Sequence, residues 1–264
     1  MTTKPSYDGA ILSFQRKRGL ESCAFFLPFL EPHMRLLDIG CGPGTVTAVL
    51  AAHVGQATGI DIQPRSIAAA NELAGETGIG NLSFREADMT ALPFDDASVD
   101  AVFFHAVLYH QDAPMLAATL AEARRVLRPG GLLGTRDADI GGNILHPDLP
   151  GLRLALDLWQ RWYEHGGPDA LYFGRRQGAI LRAHGFLPVW SGASYVNHSA
   201  DAATRQDTVE DARQSLNSLR PKLIEKGLAT NAELEEALSS WDVWGAEPDA
   251  VYLRSRCESV ARKP

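Results

Sequence analysis

Leu36-Leu-Asp-Ile-Gly-Cys-Gly-Pro-Gly-Thr-Val-Thr47 is the stretch whose reading decides the fold. An apolar run ends in Asp38, and glycines follow at alternate positions, Gly40, Gly42 and Gly44. A helical pattern then begins. The order reads as a strand, a tight turn and a helix start. Glycine admits left-handed dihedrals and lets a ligand approach bare backbone. Dinucleotide sites use a similar grammar, G-x-G-x-x-G. Here Thr45 stands where that pattern needs its third glycine, so the dinucleotide fingerprint fails.

Working outward, strands and helices alternate from residue 34. Met34–Ile39 reads as a strand, Gly44–Val54 as a helix, and Ala57–Ile60 as a strand that delivers Asp61. Pro64 opens the next helix, where its missing N–H costs nothing, and that helix is expected to reach about Gly75. Leu82–Glu86 and Val99–Phe104 are the third and fourth strands. Asp112 and Pro114 start a helix through Val126, and Arg128-Pro-Gly-Gly131 turns it into a fifth strand, Leu132–Thr135. Such alternation predicts a parallel sheet covered on both faces, with right-handed crossovers.

Beyond residue 137 the rhythm breaks. Asp139–Pro150 is rich in Gly, Asn, Pro and Asp and reads as a long irregular loop. Helices are expected over Gly151–Glu164 and Asp169–Ala183, a strand over Phe186–Val196, two helices within 201–245, and a last strand over Ala250–Val260. The expected class is α/β: one domain with a Rossmann-like, seven-stranded, mostly parallel sheet and an antiparallel last strand. A helical N-terminal extension (residues 9–30) and a helical insertion after strand five complete it.

The chain has 264 residues, enough for one large α/β domain. Its net charge of −7 opposes general attraction to nucleic-acid phosphates. The three cysteines, Cys23, Cys41 and Cys257, form no C-x-x-C pair, which argues against a disulfide framework or a zinc knuckle. No apolar run approaches a membrane span. The expected setting is cytoplasmic, with no nucleic-acid or membrane partner and a monomer or homodimer as the assembly.

In an open parallel sheet, ligands bind outside the carboxyl ends of the strands. Asp38, Asp61 and Asp88 each stand at such an end. The acidic strand end followed by G-x-G-x-G resembles motif I of the class I S-adenosylmethionine (SAM) methyltransferases. Glu86-Ala-Asp-Met-Thr-Ala-Leu-Pro-Phe-Asp-Asp-Ala-Ser-Val-Asp100 resembles the "gD-x-x-x-LPF-x-D-x-x-FD" segment of the menaquinone/ubiquinone-methyltransferase-like members. Val107-Leu-Tyr-His-Gln-Asp112 and Arg124-Arg-Val-Leu-Arg-Pro-Gly-Gly131 resemble their "vl-hH-l-d" and "rRVLKPGG" segments. The resemblance spans residues 34–136, with Val99 in place of Phe and Arg128 in place of Lys as mild departures.

The resemblance implies SAM as cofactor and a helical lid (1–33), a cofactor-binding core (34–137) and substrate-side elements (138–264). It places Asp38, Gly40, Cys41, Gly42, Gly44 and Thr45 at the methionine part of the cofactor, Asp61 and Ile62 at the ribose, and Asp88 and Met89 at the adenine. Arg18 is the candidate partner of the SAM carboxylate, a pairing that suits a guanidinium fork.

Methyl transfer needs a nucleophile in line with the S–CH₃ bond and, for a protonated acceptor, a base. The loop after strand four supplies the candidates His105, Tyr109 and His110, with His105 also a cofactor contact; each reads equally as a pocket wall. Asp137 and Asp139 follow strand five as candidate substrate contacts, or as partners of Arg136 and loop caps. Trp159 and Tyr163 are candidate walls for a flat acceptor, although aromatics at helical spacing usually belong to a core. No metal is expected, because the spacing of His105, His110 and Asp112 enforces no common face. The expected activity is methylation of an O, N or activated C of a small, partly aromatic metabolite, with a tailoring role in secondary metabolism by analogy. The alternative is a SAM-binding protein that transfers no methyl group, either a cyclase-like enzyme or a SAM-responsive binding protein.

Overall fold

The computed structural model describes residues 15, 16, 18–166 and 172–264, the side chains of 163–166 excepted. Five parallel strands form its first part: β1 (Arg35–Ile39), β2 (Gln56–Asp61), β3 (Leu82–Glu86), β4 (Val99–His105) and β5 (Leu127–Ala138). They pair in parallel as β1 with β2 and β4, β2 with β3, and β4 with β5. Three further strands are β6 (Ile144–His146), β7 (Leu187–Asn197) and β8 (Val251–Arg262). The strand order is β3-β2-β1-β4-β5-β8-β6, with β7 paired to β8. The sheet therefore has eight strands where seven were expected. The additional strand, β6, lies in the segment read as an irregular loop and pairs antiparallel with Val251–Leu253. Three residues carry no periodicity, so only the partner strand makes this segment a strand.

Helices α1 (Thr45–Ala51), α2 (Pro64–Thr77) and α3 (Ala113–Val126) connect the parallel strands. Asp112 caps α3, its carboxylate accepting from Met115 N at 2.9 Å, and Gly78 ends α2 in the left-handed conformation. Strand β5 begins at Leu127, earlier than expected. Arg128-Pro-Gly-Gly131 is a bulge within it, since Val99 pairs with Leu127 but Ala101 pairs with Leu132. Gly130 N donates to Lys263 O, and Lys263 N donates back to Gly131 O, both at 2.9 Å.

Two compact units emerge from the contacts. The first holds the chain through Asp137, Arg176–Gly192 and Glu258–Pro264; the second holds Ala138–Arg175 and Ala193–Cys257. The first unit's core includes Phe26, Leu36, Val46, Leu50, Phe103 and Val260. The Phe26 and Phe103 rings stack at 5.6 Å. Each such burial contributes about 2 kcal/mol. Between residues 18 and 30 the chain forms two short 3-10 turns, Leu20–Ser22 and Leu27–Phe29, rather than the expected helix. Pro28 explains the break, since it removes a backbone donor. The rest of the expected extension, residues 9–14 and 17, lies outside the described residues. Helix α5 (Gln177–Ala183) is shorter than expected and follows a 3-10 turn at Gly174–Arg176; residues 167–171 are likewise outside the description.

The second unit packs α4 (Pro150–Gly166), α6 (Ala202–Glu225) and α7 (Asn231–Ala246) around Leu152, Leu216, Leu234, Trp241, Trp244 and Tyr252. Thr230 and Glu233 form a capping box at the start of α7. Among the described residues no helix is long and apolar enough to cross a membrane.

Candidate functional site

The order reversal between β1 and β4 opens a crevice at the carboxyl ends of the strands. The glycine turn sits there. Gly40 N and Cys41 N both donate to Ile60 O, at 2.8 and 2.9 Å, which curls the turn over the end of β2. Gly40 has φ +76° and Gly44 φ +82°. A Cβ on Gly40 would lie 2.5 Å from a Val107 methyl, and one on Gly44 would fall on the Phe84 ring. Glycine is thus required twice over, by dihedral and by space.

Asp61 pins this turn. Its Oδ2 accepts from Gly42 N at 3.0 Å and its Oδ1 from Gln63 N at 2.9 Å. Burial raises its pKa, and these backbone donors act in the opposite sense. Asp38 lies deeper and accepts from Thr47 Oγ1 at 2.6 Å. Burial pushes its pKa up to about 7, against the Thr47 hydrogen bond and with the Asp61 charge. Cys41 is buried and its thiol pKa is pushed well up, which makes it a packing residue rather than a nucleophile. Thr45 Oγ1 donates to Gln15 O at 3.4 Å, and Gln15 Oε1 lies 3.0 Å from where a Gly42 Cβ would stand. Ile62 is half-buried beside Asp61.

After β3, Asp88 Oδ1 accepts from Thr90 N and Thr90 Oγ1, at 2.8 and 2.7 Å. Met89 Sδ accepts from Gln111 Nε2 at 2.9 Å. Gln111 is 7% exposed, and its Oε1 is buried without a hydrogen-bond partner among the described residues. Motif reading passed over Gln111, because nothing in the spacing shows that the start of α3 folds back on Met89. Arg125 orders the intervening segment. It donates to Phe94 O, Leu92 O, Asp96 and Glu122, all within 2.7–2.9 Å.

The loop after β4 carries His105, Tyr109 and His110. Val107 rests against Gly40, which sets this loop beside the glycine turn. The Tyr109 and His110 rings lie 3.8 Å apart. His110 is solvent-exposed. Desolvation of its ring by nearby protein atoms, and then the charge of Arg18, lower its pKa to about 4. Its imidazole is therefore neutral at pH 7. His105 is buried, with Nε2 3.1 Å from Arg136 Nη1. Arg136 also pairs with Glu258 at 3.1 Å. Asp137 has no exposed surface, and its Oδ2 accepts from Thr135 Oγ1 and Gln177 Nε2 at 2.8 and 3.1 Å.

In the second unit, Asp139 is clamped by Arg175, whose Nε and Nη2 donate at 2.8 and 2.6 Å. Trp159 is half-buried against that unit's core. Tyr163 belongs to α4, and its side chain lies outside the described residues. Among the described residues no three His, Cys, Asp or Glu side chains converge as metal ligands would.

Comparison with known proteins bears on this geometry. Residues 36–131 match the family model described as a methyltransferase domain. The chain is 30% identical to the "Probable methyltransferase ltbC" of Aspergillus luteorubrus, over 98% of this chain and 96% of that one. The chain belongs to the class I SAM-dependent methyltransferases. The 27-O-demethylrifamycin SV methyltransferase of Amycolatopsis mediterranei is 29% identical, over 97% of this chain and 87% of that one. Among solved structures, the [4+2]-cyclase SpnF aligns with TM-score 0.55 and 22% identity, covering 97% of this chain and 81% of that one. That likeness concerns the fold alone, since one fold hosts many reactions.

The residues of this methyltransferase fit SAM. Val107 and Phe84 occupy the space beside Gly40 and Gly44, so the turn keeps the bare backbone that a ligand can approach closely. The Asp61 carboxylate suits ribose hydroxyls, and the orphaned Gln111 Oε1 is an acceptor suited to an amino group such as that of adenine.

Proposed function

We propose that this methyltransferase methylates a small, partly aromatic metabolite, and that among oxygen, nitrogen and activated carbon the acceptor atom is oxygen. The observation that carries the reading is the three-glycine turn, pinned by Asp61 and set beside the loop of His105, Tyr109 and His110. The name of the rifamycin relative supports oxygen and a tailoring role.

Bound SAM supplies an electrophilic methyl group on a sulfonium. The backbone of Gly40–Gly44, with Thr45 and Asp38 behind it, holds the methionine part. Asp61 and Ile62 hold the ribose, Asp88, Met89 and Gln111 the adenine, and Arg18 the carboxylate. Tyr109 and His110 wall the acceptor and exclude water, so that the acceptor atom is held in line for displacement. With its pKa lowered to about 4, the neutral His110 imidazole is a weak base that takes a proton only from an acidic acceptor. Asp137 remains a candidate contact for the acceptor.

Calorimetry with S-adenosylhomocysteine tests the cofactor half of this reading. Incubation with SAM and a panel of hydroxylated aromatic metabolites tests the other half, by release of S-adenosylhomocysteine. Tight SAM binding with no release across the panel would count against methyl transfer to such acceptors.

A further inference from the structure

His105 closes β4, and the register sets it opposite Arg136 on β5. The two side chains meet at Nε2 and Nη1, 3.1 Å apart. A guanidinium has five donors and no acceptor, and it keeps its charge in proteins. The shared hydrogen is therefore Arg136's, and His105 Nε2 accepts it. An imidazole whose Nε2 accepts is neutral and carries its proton on Nδ1.

The guanidinium is held where it is. Arg136 is 1% exposed, and its Nε donates to Glu258 Oε1 at 3.1 Å, with Glu258 5% exposed. A buried cation that loses its carboxylate is strongly penalised, so the pair is a fixed anchor. Glu21 and Cys23, from the N-terminal turns, also act on its charge. On the same strand Gly134 leaves room for the Phe26 ring, which a Cβ would approach to 2.8 Å.

We infer that Arg136 and Glu258 are positioning residues that lock His105 as the neutral Nδ1–H tautomer, so that this histidine offers a donor and not a base. His105 was one of three candidates for proton abstraction, and its Nε2 lone pair is now committed. That this tautomer serves methyl transfer rests on the function proposed above.

The test is a long-range ¹H–¹⁵N spectrum of full-length protein labelled with ¹⁵N-histidine, recorded at pH 7. His105 is assigned by the signal lost in His105→Gln. The expected result is a proton-bearing Nδ1 and a bare Nε2 in the unmodified protein. Arg136→Lys, which keeps a donor, preserves that pattern; Arg136→Met loses it. A proton on Nε2 or on both nitrogens in the unmodified protein would overturn the inference and needs no variant to fold. So would an unchanged Nδ1–H signal in a folded Arg136→Met protein. S-adenosylhomocysteine calorimetry on the unmodified protein keeps the two readings apart, since failed binding strikes the proposed function and leaves the tautomer measurement standing.

Discussion

Asp38 and Asp61 are the same residue type at the same sheet edge, yet burial divides their tasks. Asp38 is sealed against Thr47, and its pKa rises from 3.8 to about 7. Between those values the folded state holds a proton that the unfolded chain has released, so stability is full below about pH 4 and declines as pH rises to about 7. Asp38→Asn keeps an acceptor for Thr47 and removes the titration. Urea midpoints measured from pH 4 to 8 are expected to fall less steeply in this variant than in the unmodified protein. Asp61 instead spends its carboxylate on the turn and, in the proposed function, on the ribose. Asp61→Ala is expected to weaken S-adenosylhomocysteine binding by roughly ten- to a hundredfold in calorimetry, the scale of lost hydrogen bonds to a charged group. Both acids were identifiable as strand-end residues in the chain. Which one lies deep was not, because depth depends on what covers the turn.

At the scale of elements, Arg125 shows how a family motif works. Its guanidinium gathers two carbonyls and two carboxylates, and so fixes the segment that follows Asp88. Arg125→Ala is expected to cost about 2 kcal/mol. Hydrogen exchange should quicken across residues 90–98 first, and equal quickening in β1 would contradict the local role. Gly44→Ala tests the turn itself. With φ at +82° and the Phe84 ring in the way, the added methyl should cost more than about 1 kcal/mol and should lower S-adenosylhomocysteine affinity with it. The turn was legible because glycine at alternate positions has few other uses. The Arg125 clamp was not, since its partners in the ordered segment, Leu92, Phe94 and Asp96, lie about thirty residues back along the chain.

At the scale of the molecule, each of the two units has a hydrophobic core of its own. The second unit closes around Trp241, Trp244 and Tyr252, with Trp244 Nε1 donating to His146 O at 3.1 Å. Trp244→Ala removes a fully buried ring and is expected to cost about 3–5 kcal/mol, read as a lowered urea midpoint. The parallel β-α alternation, the glycine turn and the acids at the strand ends could be read from the chain alone. These rest on local chemistry: periodicity sets the elements, and glycine at Gly40 and Gly44 answers a backbone demand of its own neighbourhood. Strand β6, the fold-back of Gln111 on Met89, and the His105–Arg136–Glu258 chain were decided only in three dimensions. Each depends on a partner remote in sequence, Glu258 lying 122 residues beyond Arg136. A buried charge is tolerable only where such a partner arrives, and no local pattern records that arrival.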